Sequence, residues 1–332
     1  MSRLTMDNGI VLPPGEDGVP TDPGHCYDRV PRLLGAGVPS IAQRTLSRRQ
    51  VLRGGLALAA GVAVLGPRRV LADALQERTR WAFLSDTHID SDPDDRYRGF
   101  RPYRNLQEVT GQIGYDLPDG LVITGDLARL KGQTAAYQNL KTLLGPVIEK
   151  RPTYLGLGNH DMREHFLQIF ADRADTPEAV ENKHVTAANA GPVRLVVLDT
   201  LFHVNRLAGL LGWRQLAWLE TFLQRCDDRP TILFLHHTPR TGLLDSSELF
   251  DIVGRTGKVK AVVYGHSHVC GFSQYQGVHL INLPATGYNL QGGEPVGWVE
   301  AKLTGRDGEF ILHCVGGSTD LDGRTTKLRW RA

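Results

Sequence analysis

The chain has few cysteines, no long apolar run and almost no net charge, and each shortage narrows what it can be. Four cysteines in 332 residues (Cys26, Cys226, Cys270, Cys314) are too few for a disulfide-stapled scaffold. Their spacing is not that of a zinc ribbon either. At most one bridge is expected after processing, with Cys270–Cys314 as the candidate pair. No stretch reaches the ~20 apolar residues needed to cross a bilayer, so no stable membrane span is expected. The hydrophobic share of 41% and charged share of 22% exclude a fibrous or wholly disordered chain.

The net charge of +2 conceals an uneven distribution. Residues 1–74 hold nine arginines, six acids and no lysine, which leaves 29 bases against 30 acids in the rest. A nucleic-acid-binding body needs a cationic stripe on its folded surface, so no nucleic-acid partner is expected.

Residues 9–39 are rich in glycine and proline without apolar periodicity, and residues 1–46 are read as a disordered lead-in. Then come Ser47-Arg48-Arg49-Gln50-Val51-Leu52-Arg53, an uncharged run from Gly54 to Gly66, and Ala72-Asp73-Ala74. That order of basic, apolar and small residues over 47–74 is an export signal. Its arginine pair resembles a twin-arginine (Tat) signal, with Val51 and Arg53 where phenylalanine and lysine are usual. The resemblance implies the Tat machinery as a partner, a periplasmic or extracellular location, and cleavage near Ala74. Retention as an anchor is the alternative, though thirteen apolar residues are short for it.

From Trp81 onward, short apolar runs alternate with helical patterns, and residues 75–332 read as one catalytic domain. Trp81–Ser85, Leu121–Thr124, Thr153–Leu157, Arg194–Leu198, Thr231–Leu235 and Val259–Tyr264 suit strands buried on both faces. Asn105–Ile113, Thr134–Leu144 and Trp213–Cys226 are helix-length stretches between them. After His268 the pattern becomes a meander of strands at Val269–Tyr275, Val278–Leu283, Val296–Leu303 and Glu309–Val315. Together these predict a layered α/β domain with a pair of mixed sheets.

The chemistry-bearing residues collect at the ends of these strands. The first ends in Ser85-Asp86-Thr87-His88, the second in Gly125-Asp126 and the third in Gly158-Asn159-His160-Asp161. The fifth ends in His236-His237 and the sixth in Gly265-His266-Ser267-His268. Open α/β sheets place their ligands at such carboxyl ends. Oxygen and imidazole donors without thiolate suit manganese, iron, zinc or cobalt. Asp86 and His88, and likewise His266 and His268, are two apart and would point the same way on an extended strand. Asp126 fits a carboxylate bridging two ions roughly 3.5–4 Å apart, and a hydroxide held between such ions is a nucleophile at neutral pH. His160 could protonate a leaving oxygen or clamp a phosphate. Asp161 could bond a ring nitrogen of a ligand histidine and set its tautomer, or Asn159–Asp161 could cap a helix from Met162.

The series D-x-H, G-D, G-N-H-D, H and G-H-x-H, running from Asp86 to His268, resembles the calcineurin-like metallophosphoesterase superfamily. The resemblance implies a four-layer αββα sandwich with two mixed β-sheets. It also implies two divalent or mixed-valence transition metal ions (manganese, iron or zinc). Asp86, His88, Asp126 and His268 would hold one ion, Asp126, Asn159, His236 and His266 the other, and His160 would be the catalytic histidine. His237 is the alternative to His236. The stretch Gly212–Leu219 looks like the single-domain phosphodiesterase branch, so the expected activity is hydrolysis of a small phosphodiester, with phosphomonoesterase or an inactive binding protein as alternatives. The charged loop Ser91–Arg104 could cover the ions or be a plain solvated loop, and the same choice holds for His203, Asn205 and Arg206.

Overall fold

The computed structural model describes residues 77–170 and 180–331. The lead-in expected over 1–46 and the signal segment expected over 47–74 lie outside the described residues. The chain runs β1 (Arg78–Leu84), α1 (Pro102–Tyr115), β2 (Gly120–Ile123), α2 (Thr134–Ile148), β3 (Thr153–Leu155), α3 (Arg163–Phe170), β4 (Thr186–Ala190) and β5 (Val193–Val197). It continues through α4 (Trp213–Arg225), β6 (Thr231–Phe234), α5 (Ser246–Thr256), β7 (Val259–Tyr264), β8 (Gly271–Tyr275) and β9 (Val278–Asn282). The last three strands are β10 (Pro295–Thr304), β11 (Asp307–Gly317) and β12 (Thr325–Arg329).

Two six-stranded mixed sheets result, ordered β12-β11-β10-β1-β2-β3 and β4-β5-β6-β7-β9-β8. In the first, β1, β2 and β3 are parallel and the meander joins antiparallel to β1 through β10. In the second, β5, β6, β7 and β9 are parallel, with β4 and β8 antiparallel at the edges.

Strand β1 shows why its residues are apolar without alternation. Trp81 and Phe83 face the second sheet, where Phe83 meets Phe234 edge-on at 4.8 Å. Ala82 and Leu84 point the other way, into the layer under α1 and α2. On the far side, α4 and α5 cover β6 and β7 through Leu219, Leu223, Phe250 and Val253. Both faces of each central strand are therefore buried, and helix, sheet, sheet and helix form the four expected layers.

The anticipated strands all occur, with ends shifted by a few residues. Strands β4 and β12 and helix α5 had no counterpart in the sequence reading. The β4 sequence Thr-Ala-Ala-Asn-Ala has weak strand preference, and β12 is a mostly exposed edge. Cys226, Cys270 and Cys314 are free thiols, so the expected Cys270–Cys314 bridge does not form in this structure. Burial, with Glu294 and Asp322 nearby, pushes the Cys270 and Cys314 thiols up to about 12 and about 11. Among the described residues, no helix is long and apolar enough to cross a membrane.

Candidate metal centre

The candidate ligands follow the carboxyl ends of β1, β2, β3, β6 and β7, but not as extended strand. Asp86, His88, Asp126, His266 and His268 have φ of 52°, 46°, 48°, 69° and 54°, all left-handed. The backbone coils after each strand, so the expectation of extended strand with both members of a pair pointing the same way is corrected: Asp86 and His88 still meet in one cluster, whereas His266 and His268 part into different ones. Glycine is required beside them: a Cβ at Gly158 would fall on Asp126 Oδ1, and one at Gly265 on Asp86 Oδ2.

Two clusters form. Asp86, His88 and His268 make one, and Asp126, His236 and His266 the other; within each, potential ligand atoms lie within 4.8 Å of one another. Asp86 Oδ1 is 3.3 Å from His268 Nε2 and 4.0 Å from His236 Nε2. Asp126 Oδ2 is 3.3 Å from His236 Nε2 and 3.8 Å from His88 Nε2, a position between the clusters. The Nε2 atoms of His88 and His268 are only 3.1 Å apart, while His268 Nδ1 donates to the Tyr288 carbonyl. With Nδ1 protonated, His268 presents a lone pair at Nε2, as a ligand must.

The electrostatics follow from acids and imidazoles buried side by side. Burial raises Asp86 and Asp126, but neighbouring histidines overcome it and hold both below the usual carboxylate range. Burial opposes charge on His236, yet Asp126 and Asp86 lift it to about 9. Burial drives His88 to about 3, and burial with His236 drives His266 to about 4. Asp86 Oδ1, His88 Nδ1, Asn159 Oδ1 and both ring nitrogens of His236 are buried without hydrogen-bond partners. Orphaned buried donors and acceptors are costly, and those of Asp86, His88 and His236 belong to the two clusters of oxygen and imidazole groups, a set that fits a pair of divalent ions.

His236 falls inside the second cluster and His237 outside it. Thr200 Oγ1 engages His237 Nδ1 at 2.8 Å, and burial with the His236 charge holds that ring down to about 2. His160 sits at the mouth, its ring 5.4 Å from that of His88 and its amide donating to Asp126 Oδ1 at 2.9 Å. Its Nδ1 lies 2.9 Å from Asn205 Oδ1 and 3.2 Å from the Leu130 carbonyl. Both are acceptors, so Nδ1 carries the proton.

Asp161 is placed differently from either sequence reading. Its oxygens accept from the amides of Leu127, Ala128 and Gly158 and from Tyr137 Oη, with no imidazole among its partners. It ties the loop after β2 to the loop after β3 and does not cap α3, which begins at Arg163. Burial pushes its carboxyl up to about 6 against the pull of those amides.

Four further residues shape the site. Tyr288 stacks on His88 at 4.6 Å, and Tyr97 meets Tyr288 edge-on at 4.7 Å. Arg129 lies over Tyr97 at 4.6 Å and pairs with Asp95, so part of the loop over 91–104 packs beside the ligands. Asn205, in the loop after β5, reaches His160 as described. Only the aromatic character of Tyr97 and Tyr288 signalled them, and aromatic residues are too common to be singled out without the fold.

Clusters of this composition on the carboxyl ends of a double sheet define a metal-dependent phosphoric ester hydrolase, and the chain belongs to the calcineurin-like phosphoesterase family, whose pattern matches residues 79–270. Among curated proteins it is similar to a probable cyclic nucleotide phosphodiesterase of Rhodopseudomonas palustris, 34% identical over 206 residues, covering 57% of this chain and 71% of the relative. A glycerophosphodiester phosphodiesterase of Enterobacter lignolyticus is 26% identical over 216 residues, 62% of this chain and 76% of the relative. The fold is shared with a dimetal phosphatase of Danio rerio, TM-score 0.59 at 14% identity, covering 76% of this chain and 99% of that one.

Proposed function

We propose that the protein is a dinuclear-metal phosphodiesterase acting on a small phosphodiester. The observation that carries this reading is the pair of carboxylate–imidazole clusters with Asp126 between them. Asp86, His88, Asp126 and His268 would hold one ion, and Asp126, Asn159, His236 and His266 the other. The absence of thiolate supports manganese, iron or zinc as occupants. Ions so held would supply Lewis-acid polarisation of the phosphoryl group and an activated water. His160, its Nδ1 occupied by Asn205 and Leu130, keeps Nε2 for proton transfer to the leaving oxygen. Tyr97, Tyr288 and Arg129 wall the approach and would orient the ester groups.

The diester preference rests on the relatives, which are named for cyclic nucleotides and glycerophosphodiesters. Manganese-loaded protein is expected to cleave bis-p-nitrophenyl phosphate faster than p-nitrophenyl phosphate. The reverse order would make it a phosphomonoesterase, and turnover of neither would make it an inactive binding protein.

We also propose export through the twin-arginine route, on the strength of Arg48-Arg49 and the apolar run behind them. Changing both arginines to lysine should leave the protein in the cytoplasm. Its mature form outside the cytoplasm would reject that route.

A further inference from the structure

The ligand loops occupy the end of the sandwich where the parallel strands finish. At the other end, where they begin, lies a cavity of about 680 Å³. Both sheets wall it, through the leads into β1 and β6, the β4–β5 turn, the start of β7, the β10–β11 turn and the end of β12. Lys260, at the start of β7, and His266, just past its end, are six residues apart, or about 20 Å along a strand. The cavity is therefore separate from the metal centre.

Its charge is unbalanced. Of the acids in the wall, Asp227 is engaged by Arg194 and Arg229, and Asp228 by Lys258 at 3.4 Å. Among the described residues, Lys260, Arg306, Arg329 and Arg331 have no carboxylate partner. Lys260 Nζ donates only to the Gly257 carbonyl and Arg331 Nη1 to that of Gln276. Against these four cations stands one unpaired acid, Glu77. Burial, and then the Arg331 charge, press the Lys260 ammonium below its usual range. A half-buried cation beside another cation is unfavourable without an anion. The body as a whole carries slightly more acid than base, so a general surface excess does not explain it.

The remaining wall is apolar and fixed. Trp330 is buried, its indole N–H bound to the Thr304 carbonyl at 2.9 Å, and Pro192 and Pro230 lie in the same wall. Such a cavity suits a ligand with an anionic group and a flat or apolar body. Its volume falls in the range of small-molecule sites, about 300–1,000 Å³.

We propose that this cavity is a second binding site, for a small organophosphate of nucleotide size, with its phosphate against Lys260, Arg306, Arg329 and Arg331. Guanidinium and ammonium donors are the usual partners of phosphate oxygens. The proposal is independent of the reaction assigned to the metal centre.

Calorimetric titration of metal-loaded protein with AMP, and separately with inorganic phosphate, tests it. AMP should bind at one site fewer per chain in the Lys260→Glu/Arg331→Glu variant than in the native protein. Hydrolysis of bis-p-nitrophenyl phosphate should be unchanged in that variant. The Arg306→Glu/Arg329→Glu variant, altered at exposed side chains, should weaken the same site at least tenfold and guards against misfolding of the first. AMP should bind this site at least tenfold more tightly than phosphate, because phosphate cannot use the apolar wall. AMP binding unchanged from the native protein in both variants, or equal affinity for phosphate, would overturn the proposal. Failure of the phosphodiesterase reading would instead appear as absent hydrolysis and leave the difference in AMP binding between native protein and variants intact.

Discussion

Ten non-glycine residues among those described have positive φ, and five are candidate metal ligands. Left-handed backbone costs an ordinary residue roughly 1–2 kcal/mol, so these positions hold several kcal/mol of local strain. Asn205, which bonds His160, is a sixth. The two neighbouring histidines after β6 show how a single position divides ligand from support. His236 faces Asp126, whereas His237 bonds Thr200 and packs so tightly on Gly209 that a Cβ there would strike its ring. His236→Ala should therefore lower bound metal from two ions per chain to one, with activity reduced ~100-fold or more. His237→Ala should keep both ions and lose activity within the ~10–100-fold range of supporting residues. Metal analysis of the two purified variants checks this, and loss of an ion only in the His237 variant would exchange their roles.

At the scale of elements, the sequence made β1, β2, β6 and β7 legible because each is buried on both faces and leads into a glycine or a ligand. The partly exposed edge strand β3 was marked by the Gly158-Asn159-His160-Asp161 run behind it. Trp81 to Leu84 is apolar at every position since the sheet has a helix layer behind it and a second sheet in front. Tyr97 and Tyr288 were harder to read, and for Asn205 the sequence left site and plain loop both open. They meet the ligands through loops from distant parts of the chain, and nothing local in those loops encodes the meeting. Asp161 shows another limit: a carboxylate next to His160 suggested a histidine partner, while the tight turns after β2 and β3 expose three amides that claim it first. Its buried bonds hold two ligand loops in register, a structural duty that residue type alone does not distinguish from tuning a ring.

For the whole molecule, the candidate centre is also a clasp between sheets. Asp86, His88, Asp126 and Asn159 come from the first sheet, and His236, His266 and His268 from the second; each cluster draws on both. Bound ions would join the sheets and relieve the proximity of Asp86 and Asp126, so removing them should destabilise the fold. Ligand at a hundred times its dissociation constant adds about 2.7 kcal/mol per site, which for two sites implies a Tm drop of roughly 10 °C in EDTA. The drop should depend on pH. In the metal-free fold His236 titrates at about 9, above its ordinary value of 6.5, so its stabilising charge is fully present below pH 6.5 and lost as pH rises through 9. His268 is raised too and acts in the same direction. His88 and His266, held near 3 and 4, stay neutral across that window and add nothing to the slope. A metal must displace the His236 proton, so its binding tightens over the same interval. These are one proton linkage seen from two sides, and it widens the gap between metal-loaded and metal-free protein from pH 6.5 to 9. Calorimetric Tm values with and without EDTA at pH 6.5, 7.5 and 9 measure it, and a constant gap would mean that His236 does not give up a proton when the site fills.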